Sequence, residues 1–398
     1  KTLLMERSAS AASLGRPEKW GTRRRGMARQ EMRNGNYRTA YRIAANHHMT
    51  EGYPPADMDW LAVYILLRKL NNPGGALPHF EAFRARIDTP ISLGRAGYWL
   101  GRTHEALGNS TAARDAYALA ATYQTSFYGQ LAAARAGFPV DASLANPQTT
   151  DWQRAGFADD PLLRAARIAW SGGDWVTAEL FLSRIALDLQ NPGELRHLAQ
   201  MAFEAGRADT AVRLAKRAAR RGDVYPETAY PLTEITEFAG RLPVELVTSL
   251  ARQESELNPE AISRVGARGL MQVMPATAQD IARDMGLPYS RARLTEDWRY
   301  NVTLGTHYLE GLMDEFRGSV VLSAAGYNAG PGRPRQWITR YGDPRRLNVD
   351  RVVDWIEGIP FRETRNYVMR VVEGMHVYRM RISGRGIPLQ IEEDLTAG

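Results

Sequence analysis

Residues 251–275 read ARQESELNPEAISRVGARGLMQVMP, and the fourth of them does not fit the helix it belongs to. The residues before it predict an amphipathic helix whose apolar stripe runs through Val247, Leu250 and Ala251. Glu254 lies seven, four and three residues beyond those positions, so its carboxylate falls on the stripe. Glu256 points well away, towards the polar side. Asn258-Pro259 follows, and a residue before proline is pushed out of the α region. The helix therefore ends just beyond Glu254 and presents the carboxylate near a loop, read over residues 260–269 with Gly266 and Gly269. If the next run, GLMQVM, is extended, Leu270, Gln272 and Met274 share a face. Pro275 suits the first position of a helix that runs to Gly286.

The rest of the back half repeats this theme. A helix follows with its stripe at Val302, Gly305, Leu309, Leu312 and Phe316. In SVVLSAAGYNAGPG (319–332), Val321, Ala324 and Ala325 form an apolar face and Asn328 lands on it, just before a Gly-Pro-Gly stop. WIEGIPFRETRNYVMRVV (355–372) leads into a last helix with Tyr367, Val368, Val371, Val372 and Met375 inward. Two polar side chains on core faces, both at helix ends beside glycine loops, predict a cleft lined from several elements. Taken alone, Glu254 reads equally well as a buried carboxylate satisfied by arginine or backbone donors. No alternating strand pattern of useful length occurs, so the fold is expected to be all-α.

The front half carries a repeat: a helical stretch, a Gly, four residues, then a small residue opening the next helix. It occurs at Gly35…Ala40, Gly108…Ala113, Gly173…Ala178 and Gly206…Ala211, with RKLNNPGGALPHF around Gly75 as a degenerate copy placing Phe80 in the alanine position. The gaps are near-multiples of about 34 residues, the period of tetratricopeptide-like helix pairs, which bury a core only by stacking. An N-terminal α-solenoid over 1–225 is expected, most simply a scaffold. A Pro-broken segment at 137–161 interrupts it; a second at 222–243 contains the boundary, giving a linker over 226–242 and a second domain over 243–398.

The 398 residues, 44% apolar and 24% charged, suit a globular protein of two or more domains. No apolar run approaches the roughly 18–20 residues of a membrane span; residues 61–67 read as a buried helix segment. The absence of cysteine excludes disulfides and thiolate metal sites, and the seven scattered histidines give no reason to expect a metal centre or a cofactor. A net charge of +7 suggests an anionic partner: nucleic acid, anionic lipid or an acidic cell-wall polymer. The run Arg23-Arg24-Arg25, without interleaved aromatics, reads as a solvated helix face. The chain opens on Lys1, so a processed protein or a fragment is expected, with any export signal out of view.

ARQES (251–255), VGARGLMQVMP (265–275), GYNAGPGR (326–333) and ETRNYV (363–368) resemble, in order, the successive motifs of the soluble lytic murein transglycosylases. Their catalytic domain has a goose-type lysozyme-like fold. The likeness covers about residues 240–382, and the Ala-rich front half resembles the superhelical domain of the large soluble members. Gly326 departs from the pattern, where Ala is more usual, and looser packing is expected there.

The resemblance implies cleavage of the β-1,4 bond between N-acetylmuramic acid and N-acetylglucosamine without water, the muramoyl 6-hydroxyl attacking its own anomeric carbon. Glu254 matches the single general acid/base, its pKa raised by apolar surroundings. Ser263, Gln272 and Met274 match positions near the scissile bond, and Tyr327 and Asn328 the pair that closes the site. Glu357 matches a substrate-contacting carboxylate. Ser255, Glu363, Thr364 and Arg365 read as structural. The implied partners are glycan strands and muropeptides, with cell-wall proteins docking through the solenoid and no nucleic acid; the implied location is the periplasm. Two other readings are open: a hydrolytic muramidase with Glu357 as second carboxylate, and a non-catalytic peptidoglycan-binding scaffold.

Overall fold

The computed structural model describes residues 2–50, 53–238 and 240–398, and every extended element among them is helical. The only β-bridges found among these residues are two isolated ones, Ile262 with Arg268 and Arg268 with Val273. The chain divides into two compact units. The first is Lys1–Pro139 with Val353–Arg365; the second is Val140–Val352 with Asn366–Gly398.

In the first unit, helices pack as consecutive hairpins: Pro17–Arg33 with Tyr37–Ala45, Tyr53–Arg68 with Pro73–Arg84, and Pro90–Ala106 with Ser110–Ala121. Proline sits in the first turn of each leading or following helix at 17, 73 and 90, where its missing N–H removes no helical bond. The repeat glycines make the turns. Gly35 and Gly108 have φ of 82° and 77°, and five residues on Ala40 and Ala113 are buried at the helix crossing. The copy around Gly75 has a different register. Gly75 lies inside the helix Pro73–Arg84; the left-handed residue is Asn71, with φ 48°, and the buried small residue five on is Ala76. Asparagine tolerates the left-handed region better than other side chains, which is why no glycine marks this turn.

The basic run behaves differently from the solvated face read from sequence. Arg24 is 0% exposed, donating to the Ile43 carbonyl at 2.8 Å and the Ser8 hydroxyl at 2.7 Å. Successive helical residues point about 100° apart, so three in a row cannot share one face. Arg23 stays exposed and Arg25 reaches Asp57 at 3.2 Å.

An aromatic core closes this unit: Trp60 stacks on Tyr64, and Tyr64 meets Trp99 edge-on, each at 5.3 Å between centroids. The segment 353–365 docks against it. Asp354 accepts from Tyr64 at 2.9 Å and from Arg68 at 2.6 Å.

The second unit begins with two more hairpins, Pro161–Ser171 with Trp175–Asp188 and Pro192–Glu204 with Ala208–Ala219. Gly173 and Gly206 have φ of 76° and 79°, and Ala178 and Ala211 are buried as the repeat requires. Then come Val244–Ser255, Pro275–Asp284, Trp298–Glu315, Val320–Ala329 and Gly332–Tyr341, and the part of Arg362–Ser383 from Asn366 onward. One core cluster joins Ala215, Ala229 and Tyr230 to Val377, Tyr378 and Met380. No helix among the described residues is long and apolar enough to cross a membrane.

Candidate active site

Glu254 sits in the last turn of Val244–Ser255, above the buried Val247, Leu250 and Ala251, and is itself half-buried. The helix stops because Glu256 and Leu257 both take left-handed backbone, with φ of 58° and 66°. Ser255 pins that end, its hydroxyl donating to the Leu270 carbonyl at 2.8 Å. Glu256 turns away to Lys216 at 2.7 Å. The placement of both glutamates follows the helical spacing read from the sequence.

The loop after the helix is held by its own polar atoms. The Ser263 hydroxyl accepts from the Ala267 N–H at 3.0 Å and its N–H donates to the Ala267 carbonyl at 2.9 Å, closing a turn. The Gln272 amide donates to the Ala261 and Gly269 carbonyls at 3.1 and 2.9 Å. Residues 270–272 form turns, not a strand, and Gln272 has φ 48°. The expected alternation is therefore absent: Leu270, Met271 and Val273 are all buried, while Met274 is exposed at the start of Pro275–Asp284.

A fully buried residue absent from the sequence-derived set supports this loop. Asn301 accepts from the Met271 N–H at 2.9 Å and donates to the Arg268 and Leu294 carbonyls at 2.8 and 3.0 Å. Gly269, at φ 74°, admits this approach, since a Cβ there would stand 2.1 Å from the Leu294 carbonyl oxygen.

Two tyrosines complete the surroundings of Glu254. The Tyr367 hydroxyl donates to Glu254 Oε1 at 2.6 Å, and the Tyr327 hydroxyl donates to the Met271 carbonyl at 2.8 Å. Burial first, and then the negative charge of Glu254, push both phenols well above their ordinary value, so both stay protonated donors. Tyr367 was legible only as a member of the apolar stripe of the last helix; its position in ETRNYV gave no sign that its hydroxyl reaches the carboxylate. Asn328 is half-buried one residue beyond Tyr327, in the final turn before Gly330. The looser packing expected at Gly326 is not found: a Cβ there would meet Phe316 at 3.1 Å and Leu312 at 3.3 Å. Both side chains stand within the reach of a methyl at this position.

Glu357 has wholly different surroundings. It is 0% exposed within the first unit. Tyr128 donates to its Oε1 at 2.6 Å, as does Arg95, while Arg365 and Arg29 stand 3.6 and 3.7 Å from Oε2. Burial alone would raise its pKa; the guanidiniums of Arg95, Arg29 and Arg365 with the Tyr128 hydroxyl outweigh that and hold it below the usual carboxylate range. Glu357 is thus an ionised hub with no exposed surface for a glycan to touch.

Residues 233–349 match the family model Transglycosylase SLT domain. A soluble lytic murein transglycosylase of Escherichia coli (strain K12) is 40% identical over 139 residues, which are 35% of this chain and 21% of that protein. Membrane-bound lytic murein transglycosylase C of Haemophilus ducreyi is 28% identical over 254 residues, 59% of this chain and 67% of that one. Among solved structures, the lytic transglycosylase Slt of Pseudomonas aeruginosa superposes with a TM-score of 0.70 at 27% identity, covering 96% of this chain and 62% of that chain. The 70 kDa soluble lytic transglycosylase of Escherichia coli gives 0.60 at 23% identity, over 95% and 65%, a likeness of fold alone. The chain thus aligns with about a fifth of the Escherichia coli relative in sequence and spans under two thirds of both solved chains. The resemblance read from the motifs is borne out, and so is the fold class: all-α, a superhelical array followed by a lysozyme-like domain.

Proposed function

We propose that this protein is a lytic transglycosylase that cleaves the β-1,4 bond between N-acetylmuramic acid and N-acetylglucosamine in peptidoglycan. Glu254 is its single general acid/base. As an acid it gives its proton to the glycosidic oxygen; as a base it then takes the proton of the muramoyl 6-hydroxyl, which closes on the anomeric carbon and leaves a 1,6-anhydro end. The observation that carries this reading is a half-buried carboxylate at a helix end, with one oxygen fixed by the Tyr367 hydroxyl and a second phenol, Tyr327, close by. An intact, oriented carboxylate speaks against a scaffold without activity. The Pseudomonas aeruginosa relative is described as an inactive glutamate-to-glutamine mutant, in keeping with one glutamate carrying the chemistry.

A tethered hydroxyl competes well with water, because oriented intramolecular attack reaches effective molarities of about 10⁵ M or more. The hydrolase reading needs a second carboxylate, and Glu357, its candidate, is buried among arginines. Within the proposal Ser263, Gln272, Met274, Tyr327 and Asn328 line the cleft, 243–398 is the catalytic domain, and 226–242, packed on it through Ala229 and Tyr230, leads in from the superhelical 1–225. A periplasmic location follows from the substrate. The test is incubation with purified cell wall in oxygen-18 water. Muropeptides should end in unlabelled 1,6-anhydromuramic acid; labelled reducing ends would make the enzyme a hydrolase.

A further inference from the structure

One peptide unit beside Glu254 is gripped through both of its polar atoms. Its carbonyl, that of Leu270, accepts from the Ser255 hydroxyl at 2.8 Å, and its N–H, that of Met271, donates to Asn301 Oδ1 at 2.9 Å. The next carbonyl, of Met271 itself, accepts from the Tyr327 hydroxyl at 2.8 Å. Ser255 follows Glu254 directly at the end of its helix. This short stretch of backbone therefore joins the helix end that carries the acid to the phenol near it. Burial first, and then the charge of Glu254, raise the Tyr327 pKa, so the phenol stands within the field of the carboxylate.

Asn301 has no exposed surface, and its amide hydrogens go to the Arg268 and Leu294 carbonyls at 2.8 and 3.0 Å. With Oδ1 on the Met271 N–H, three bonds fix the plane of the amide. Two glycines clear the space this arrangement needs. A Cβ on Gly269 would stand 2.3 Å from Asn301 Nδ2. One on Gly305, a turn beyond Asn301 on the same helix face, would stand 2.6 Å from Met271 Sδ and 2.7 Å from its Cβ. The helix Trp298–Glu315 thus holds Met271 by its N–H at one turn and by its side chain at the next. Elsewhere in the loop, backbone groups are satisfied by close neighbours, as the Ser263 and Gln272 side chains show. The Met271 peptide instead takes its partner from 30 positions away.

We propose that Asn301 is a positioning residue for the reaction: it holds the Met271 peptide in the one orientation that serves both the helix end bearing Glu254 and the Tyr327 hydroxyl. The inference rests on the function proposed above. Asn301 lies below the surface and touches no substrate. Without its oxygen the Met271 N–H is a buried donor with no partner, and rotation of the peptide relieves that cost. The same rotation carries the Leu270 carbonyl off Ser255 and the Met271 carbonyl off Tyr327. A misplacement of about 1 Å at a reacting centre can cost about 10²-fold in rate.

The test compares the full chain with Asn301→Ala, Tyr327→Phe and the double variant on uncrosslinked glycan strands. It counts 1,6-anhydro ends at a temperature well below every melting point. Asn301→Ala should lower kcat about tenfold or more and leave the KM for glycan within about twofold. Residues that act through one network are not additive, so the double loss should fall short of the product of the single losses by about threefold or more. Gly305→Ala displaces Met271 from its side chain and leaves Asn301 in place; it should reproduce the kcat loss, and it replaces Asn301→Ala in the cycle if that variant does not fold. An unchanged kcat, a KM rise in place of a kcat loss, or a double loss that reaches the product overturns the proposal. A parent chain that forms anhydro ends beside such results sinks the role of Asn301 alone, whereas a parent chain that forms none sinks the proposed function.

Discussion

Replacing Glu357 by Gln keeps the shape of the side chain and removes one buried negative charge. The arginines around it at 3.6 and 3.7 Å, and Arg95 in direct contact, then face Asp57 as the nearby acid, itself held by Arg25 at 3.2 Å and Arg29 at 4.0 Å. Breaking a buried pair by removing one partner typically costs about 3–5 kcal/mol, because the other charge stays buried and uncompensated. For a unit of roughly 150 residues each kcal/mol moves the melting point about 2–4 °C, so the first unit should melt about 6–20 °C lower. Hydrogen exchange should show residues 353–365 opening first, since Glu357 is their central anchor. The pH dependence has a definite sign. The folded-state pKa is depressed, so the stabilisation is complete above the unfolded carboxylate value of about 4.3 and is lost as pH falls through the folded value. Calorimetric melts should show this acid loss in the parent chain and a flatter profile in Glu357→Gln. An unchanged melting point together with a raised KM for glycan would refute the structural reading and return Glu357 to the substrate.

Glu254→Gln should lower turnover by about 10²–10⁴-fold or more with an unchanged melt, while Glu256→Gln, on the Lys216 side of the helix end, should change kcat only a few-fold; equal losses would contradict the stripe argument. Tyr367→Phe removes a hydrogen bond to a charged group, worth about 1.5–3 kcal/mol, and should reduce kcat roughly 10–100-fold and alter the pH–rate profile without unfolding the chain. A chain truncated to begin at Pro231 lacks Ala215, Ala229 and Tyr230, which pack on Val377, Tyr378 and Met380; it should melt well below one beginning at Val140, and equal melts would favour an independent domain after 231. Gly326→Ala should cost about 1–3 kcal/mol because Phe316 and Leu312 must move, and a neutral melt would show that they can.

What could be read from the sequence was what depends on spacing along one helix. The turn glycines at 35, 108, 173 and 206, the alanines five residues beyond them, and the carboxylate of Glu254 on an apolar stripe are each fixed by local geometry, and each is found in place. The repeat register failed at Gly75 because Asn71 does the work of a glycine there. Residues that act across the chain left no comparable trace. Tyr367 is 113 positions from Glu254 and Asn301 is 30 from Met271, and in each case a stripe pattern records only that the side chain points inward, not what its polar tip meets. Glu357 shows the same limit from the other side. Its motif suggested a substrate contact, yet the arginines that enclose it come from positions 29 and 95 as well as 365. A buried charge is specified by partners distant in sequence, so the periodicity around Glu357 could not distinguish a carboxylate offered to a glycan from one that holds a segment of chain in place.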